Sequence, residues 1–107
     1  MEKNVENPDI SILLQPIRFK LALTLINSKE PMYLEQIAAE MGENSRLIAH
    51  HLDILEDSGL VSSKFQIIQH DNNLRGFAGR FFSATPKLKE SLEVISGMIA
   101  RQQEGHG

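Results

Sequence analysis

The 107-residue chain has no cysteine, no long apolar run and no excess of positive charge. Without cysteine there is no disulfide framework, no thiolate metal site and no cysteine nucleophile. No stretch approaches the roughly 18 uninterrupted apolar residues of a membrane span. The opening residues MEKNVENPD also lack the apolar centre of a signal peptide. A soluble, cytoplasmic protein with no membrane partner is therefore expected. There is no glycine-rich phosphate loop, and no nucleophile stands beside an obvious base, so neither catalysis nor a cofactor is expected.

Charge is also sparse where it would matter most. The net charge is -3. Residues 1–43 carry four Lys/Arg against seven Asp/Glu, residues 44–80 four against four, and residues 81–107 three against three. A strongly basic nucleic-acid footprint is absent, so any DNA affinity must rest on the placement of a few charges.

What is present is a regular succession of patterned segments. With 41% apolar residues the chain can bury one modest core, which predicts a single domain over about 9–103, with disordered ends at 1–8 and 104–107. Ile10, Leu13, Leu14, Ile17, Leu21 and Leu25 recur at helical spacing, and Pro16 is placed to open a longer helix after a short one. "MYL" allows one short edge strand. "EQIAAEM" then makes a helix that stops at Gly42, and Asn44 is an N-cap for the next. Two helices joined around Gly42 predict a helix-turn-helix over about 34–58.

Beyond Gly59 the period changes. "LVSSKFQIIQ" and "FAGRFFSA" are β-rich and flank the polar "HDNNLRG", which predicts a hairpin over about 60–85 with a long tip. Thr85 and Pro86 open a last helix, about 86–102, whose Leu88, Leu92, Ile95 and Ile99 form an apolar stripe. The fold class expected is mainly α with a small β-hairpin (α+β), a winged helix-turn-helix.

The segments "QPIRFKLALTLI", "LEQIAAEMG", "SRLIAHHLDILEDSGLV" and "RFFSATP" together resemble the ArsR-type winged-helix transcription regulators over residues 15–86. The resemblance implies a homodimeric repressor that binds an inverted repeat in double-stranded DNA. The helix from Asn44 would lie in the major groove, the hairpin tip against the backbone or minor groove, and the terminal helices would build the dimer. Where metal-sensing members carry a cysteine pair this chain has Leu34, Ile37 and Ala38, so no metal is expected at that site. The sequence does not name an effector.

Helical geometry divides residues 44–59 into Ile48, Leu52, Leu55 and Gly59 inward, and Arg46, Ala49, His50, Asp53 and Asp57 outward. Arg46, in the first turn, suits a bidentate contact to guanine. Asn44, Ser45, Leu47, Ala49 and His50 complete the candidate reading surface, with Ser45 and the helix start able to hold a phosphate. His51 is placed sideways, against the hairpin or backbone. Asp53 could accept from cytosine or pair with His50. Lys64, Asn73, Arg75 and Arg80 are the hairpin candidates. The dimer candidates are Ile10, Leu13, Leu14, Ile17, Leu88, Leu92, Ile95 and Ile99. The competing reading makes Arg46 an ordinary solvated residue and the chain a protein-interaction module without DNA affinity; the near-neutral middle third favours it.

Overall fold

Pro16 and Gln15 set the start of the first long helix. The Gln15 side-chain oxygen accepts from the Arg18 amide at 2.8 Å, and Pro16 occupies a first-turn position whose missing N–H costs nothing. A computed structural model of the protein describes residues 10–68 and 77–105. In chain order these form a short 3₁₀ helix (Ile10–Leu14), α1 (Pro16–Ile26), β1 (Met32–Tyr33), α2 (Leu34–Met41), α3 (Ser45–Asp57), β2 (Val61–Ile68), β3 (Phe77–Ala84) and α4 (Pro86–Gly105). The small sheet is antiparallel in the order β1-β3-β2. This is a winged helix-turn-helix.

Two glycines make the corners. Gly42 has φ +68°, and the amides of Gly42 and Glu43 donate to the Ala39 and Ala38 carbonyls at 3.2 and 3.0 Å. Gly59, at φ +78°, repeats the arrangement after α3: its amide and that of Leu60 donate to Glu56 and Leu55 at 3.0 and 2.9 Å. Both are left-handed helix ends that satisfy orphan carbonyls, and a Cβ at such a φ would be strained. Gly59 is therefore exposed at a corner, not inward as its helical spacing suggests. Leu60, one residue on, goes into the core at 2% exposure.

The core gathers one face of each helix: Leu13 from the 3₁₀ helix, Leu21 and Leu25 from α1, Ile37 from α2, Ile48, Leu52 and Leu55 from α3, and Leu88 from α4. Each fully buried leucine or isoleucine contributes about 1.5–3 kcal/mol of transfer free energy. Phe82 brings β3 into the same cluster. At the far end, Thr85 ties α4 to the α3 corner, its hydroxyl donating to the Gly59 carbonyl at 2.8 Å while Lys87 Nζ donates to the Ser58 carbonyl at 2.8 Å. The C-terminal end of α3 is thus tied to the start of α4.

The apolar stripe of α4 resolves differently from the expected dimer seam. Leu13 and Leu88 are fully buried and Ile95 is buried within this one chain, so they serve its own core and not a partner. Ile10, Ile17 and Leu92 are half-buried against that core. Leu14 and Ile99 are exposed, joined by Leu23, Val94 and Met98, which the stripe did not include. A groove of about 450 Å³ lies between α1 and α4, lined by Phe19, Leu23, Leu92, Ile95 and Ile99 among others. Among the described residues no helix is long and apolar enough to cross a membrane.

Candidate nucleic-acid interface

The candidate surface is built on α3. Asn44 caps it: its side-chain oxygen accepts from the Arg46 and Leu47 amides at 2.8 and 3.2 Å, and its carbonyl accepts from Ile48 at 3.0 Å. Asn44 therefore satisfies N–H groups that would otherwise be free to hold a phosphate. The Ile48, Leu52 and Leu55 edge is buried, which turns the opposite edge outward. Arg46, His50, Asp53 and Asp57 are exposed on that edge, while Ser45, Leu47 and Ala49 are half-buried beside it. Among the described residues Asp53 has no ion-pair partner, His50 included.

The hairpin stands beside this helix as a two-stranded wing. Its register runs from Val61↔Ala84 to Ile68↔Phe77 without interruption. Ser63 hydrogen-bonds to Glu56 of α3 at 2.7 Å, so the face carrying Ser63 turns toward α3. By strand alternation Phe65 and Ile67 share that face, and both are exposed, at 71% and 64%. Lys64 is exposed on the other face, with Ser62 and Gln66. Asn73 and Arg75 lie outside the described residues.

Arg80 is not a free cation. Its Nη2 forms an ion pair with Glu56 Oε1, its Nε donates to the Ser63 hydroxyl at 3.3 Å, and the guanidinium lies 5.0 Å from the centroid of the Phe82 ring. A cleft of about 340 Å³ between α3 and β3 is lined by Ala49, Asp53, Gly79 and Arg80, with Glu35 of α2 also on its wall. Two carboxylates on one cleft oppose a phosphate there.

His51 turns away from the hairpin, contrary to the sideways placement expected from the helix period. It is 6% exposed and faces α1, where Arg18 Nη1 lies 3.2 Å from its Nδ1. The guanidinium can only donate, so His51 accepts at Nδ1 and is neutral with its proton on Nε2. Burial lowers its pKa below the ordinary histidine value, and the charge of Arg18 and then that of His50 lower it further. Arg18 Nε meanwhile donates to the Ile12 carbonyl at 2.7 Å. One arginine thus joins the 3₁₀ helix, α1 and the inner side of α3. The contact spans 33 residues, and no local signal announces it.

Comparison with known proteins adds to the geometry. Residues 13–63 match the model of a family described as a helix-turn-helix domain. No curated protein matches the chain. Among solved structures, the crystal structure of transcriptional regulator PA3341 superposes with a TM-score of 0.58 at 20% identity, over 89% of this chain and 64% of that one. At that identity the likeness is one of fold, and this chain spans less than two thirds of that regulator.

Proposed function

We propose that a helix-turn-helix with a wing beside it serves here as a sequence-specific DNA-binding transcription regulator, and that the chain acts as a homodimeric repressor on an inverted repeat. The observation that carries the reading is α3 itself: a capped helix with a buried inner edge, whose outer edge presents Arg46 and His50 to solvent with Ala49 half-buried beside them. In this mechanism the first turn of α3 enters the major groove and Arg46 donates two N–H groups of one guanidinium edge to guanine O6 and N7. His50, one turn on, donates to a base or phosphate, and Asp53 discriminates against bases that offer no donor. Ser45 and, from the hairpin tip, Asn73 and Arg75 position the backbone. The resemblance of residues 15–86 to ArsR-type regulators and the solved regulator of the same fold support this reading. A cytoplasmic location goes with it.

The second protomer supplies the charge that one lacks. Leu23 and Ile99, exposed on the wall of the groove between α1 and α4, form the proposed dimer face together with the exposed Leu14 and Met98. With Arg80 held by Glu56 and Lys64 on the far side of the wing, Arg46 and Arg75 of each protomer remain as the main cations toward DNA. Arg75 is the phosphate contact, two per dimer, which gives a slope of log K against log salt of about -2. Fluorescence anisotropy on duplex DNA between 50 and 200 mM salt measures this slope; the absence of binding at the lowest salt would overturn the proposal.

A second reading has one observation in its favour. Phe65 and Ile67 are largely exposed on the wing, next to a helix edge that carries Asp53 and Asp57. An apolar, partly acidic surface suits a protein partner better than a phosphate backbone. Under that reading the chain is a winged-helix interaction module, and the same anisotropy experiment finds no duplex binding.

A further inference from the structure

We propose that Arg80 is a positioning residue that fixes the pitch of the wing against the reading helix, and that it makes no phosphate contact. The proposal rests on the DNA-binding reading above and deepens it. Three elements meet at one point: Glu56 on α3, Ser63 on β2 and Arg80 on β3. Glu56 uses both oxygens, Oε2 accepting from the Ser63 hydroxyl at 2.7 Å and Oε1 pairing with Arg80 Nη2. Ser63 closes the triangle by accepting from Arg80 Nε at 3.3 Å. The guanidinium is backed by the buried ring of Phe82, 5.0 Å away, so the arginine cannot swing outward without leaving three partners at once.

The geometry, more than the Coulomb attraction, gives the device its purpose. The Arg80 and Glu56 side chains are 39% and 30% exposed, and solvent screens a pair at such a site. What the triangle does is mechanical. Val61 and Phe82 already anchor the base of the hairpin in the core. Past them, Phe65 pairs with Arg80 and Ile67 with Ala78, with Phe65 and Ile67 mostly in solvent and no core behind them. Among the described residues the triangle is the outermost hydrogen-bonded tie between α3 and the wing. The angle at which the wing leaves α3, and hence where its tip falls relative to a helix lying in a groove, is set there.

A positioning arginine and a phosphate-binding arginine respond differently to substitution. Arg80→Gln removes the charge and the fork, whereas Arg80→Lys keeps the charge and loses the fork. Two measurements separate the roles. Hydrogen exchange of the strand amides over 63–67 and 78–82, without DNA, reads the tie itself; the salt slope on duplex DNA reads phosphate contacts. We expect Arg80→Gln, Arg80→Lys and Glu56→Gln each to speed strand exchange at least several-fold. Each should also weaken duplex binding about tenfold with the salt slope unchanged, and exchange of the core amides of α3 should stay as it was.

A fall in slope of about 0.9 per protomer in Arg80→Gln, with slow exchange and with Arg80→Lys binding normally, would overturn the proposal and return Arg80 to the phosphate contacts. Unchanged exchange in all three variants would overturn it as well. A wild-type chain that binds no duplex overturns the DNA reading, and the positioning role in DNA recognition falls with it. The exchange arm then still decides separately whether the triangle holds the wing to α3.

Discussion

Leu88 separates an internal core from a dimer seam, because the two assignments make opposite demands on one substitution. The side chain is fully buried within the single chain, in the cluster that includes Leu55 and Leu60. Leu88→Ala removes its apolar contacts and leaves a cavity, at a cost of about 3 kcal/mol within the usual 2–5 for such sites. For a domain of this size that lowers the melting temperature by about 10–20 °C. Ile99 is 54% exposed. Ile99→Glu should therefore cost the folded chain no more than about 0.5 kcal/mol, yet it places a carboxylate on the proposed dimer face. Urea unfolding and sedimentation equilibrium, run on both variants, give the test. The expected result is a large stability loss with an unaltered association constant for Leu88→Ala, and at least tenfold weaker association for Ile99→Glu. A Leu88→Ala variant that dissociates at unchanged stability would refute the assignment of Leu88 to the core.

The other predictions concern α3. Acid should destabilise the fold through His51: its pKa is lowered in the folded chain, so the unfolded chain takes up the proton first. This contribution is complete above the ordinary histidine value of about 6.5 and declines as pH falls below it. Chemical denaturation between pH 7.5 and 5 should show that decline, and His51→Gln should flatten it; an equal decline in the variant would exonerate His51. Asn44→Ala should cost about 1 kcal/mol of unfolding free energy, since two amides lose their acceptor. A cost near zero in thermal melts would show that water replaces the cap.

Local chemistry made much of this architecture legible. Asn44, Thr85 and Pro16 are residues whose capping or ring geometry acts within three or four positions, and the helices begin beside them. Gly42 ends α2 for the same kind of reason. The outward edge of α3 follows from the helical period once Ile48, Leu52 and Leu55 go inward. Contacts between distant segments were not legible. A stripe such as Leu88, Leu92, Ile95 and Ile99 is apolar whether it covers its own α1 or a second copy, and periodicity carries no information about which. Glu56 and Arg80 are 24 residues apart, so Arg80 reads from sequence as a free wing cation. His51 likewise sits on the boundary between the two helix faces, and only the placement of Arg18 decides which way it turns.

In the proposed function the outer edge of α3 reads base sequence, and Arg46 carries that reading. Selection of bound molecules from random duplex DNA, carried out in parallel with the wild-type protein and with Arg46→Ala, tests it most directly. The wild type should yield a repeated half-site, with a guanine at one position that becomes degenerate in the variant at a cost of about 1–3 kcal/mol. Recovery of the same half-site with the same preference from both proteins, or of no shared sequence from either, would contradict it.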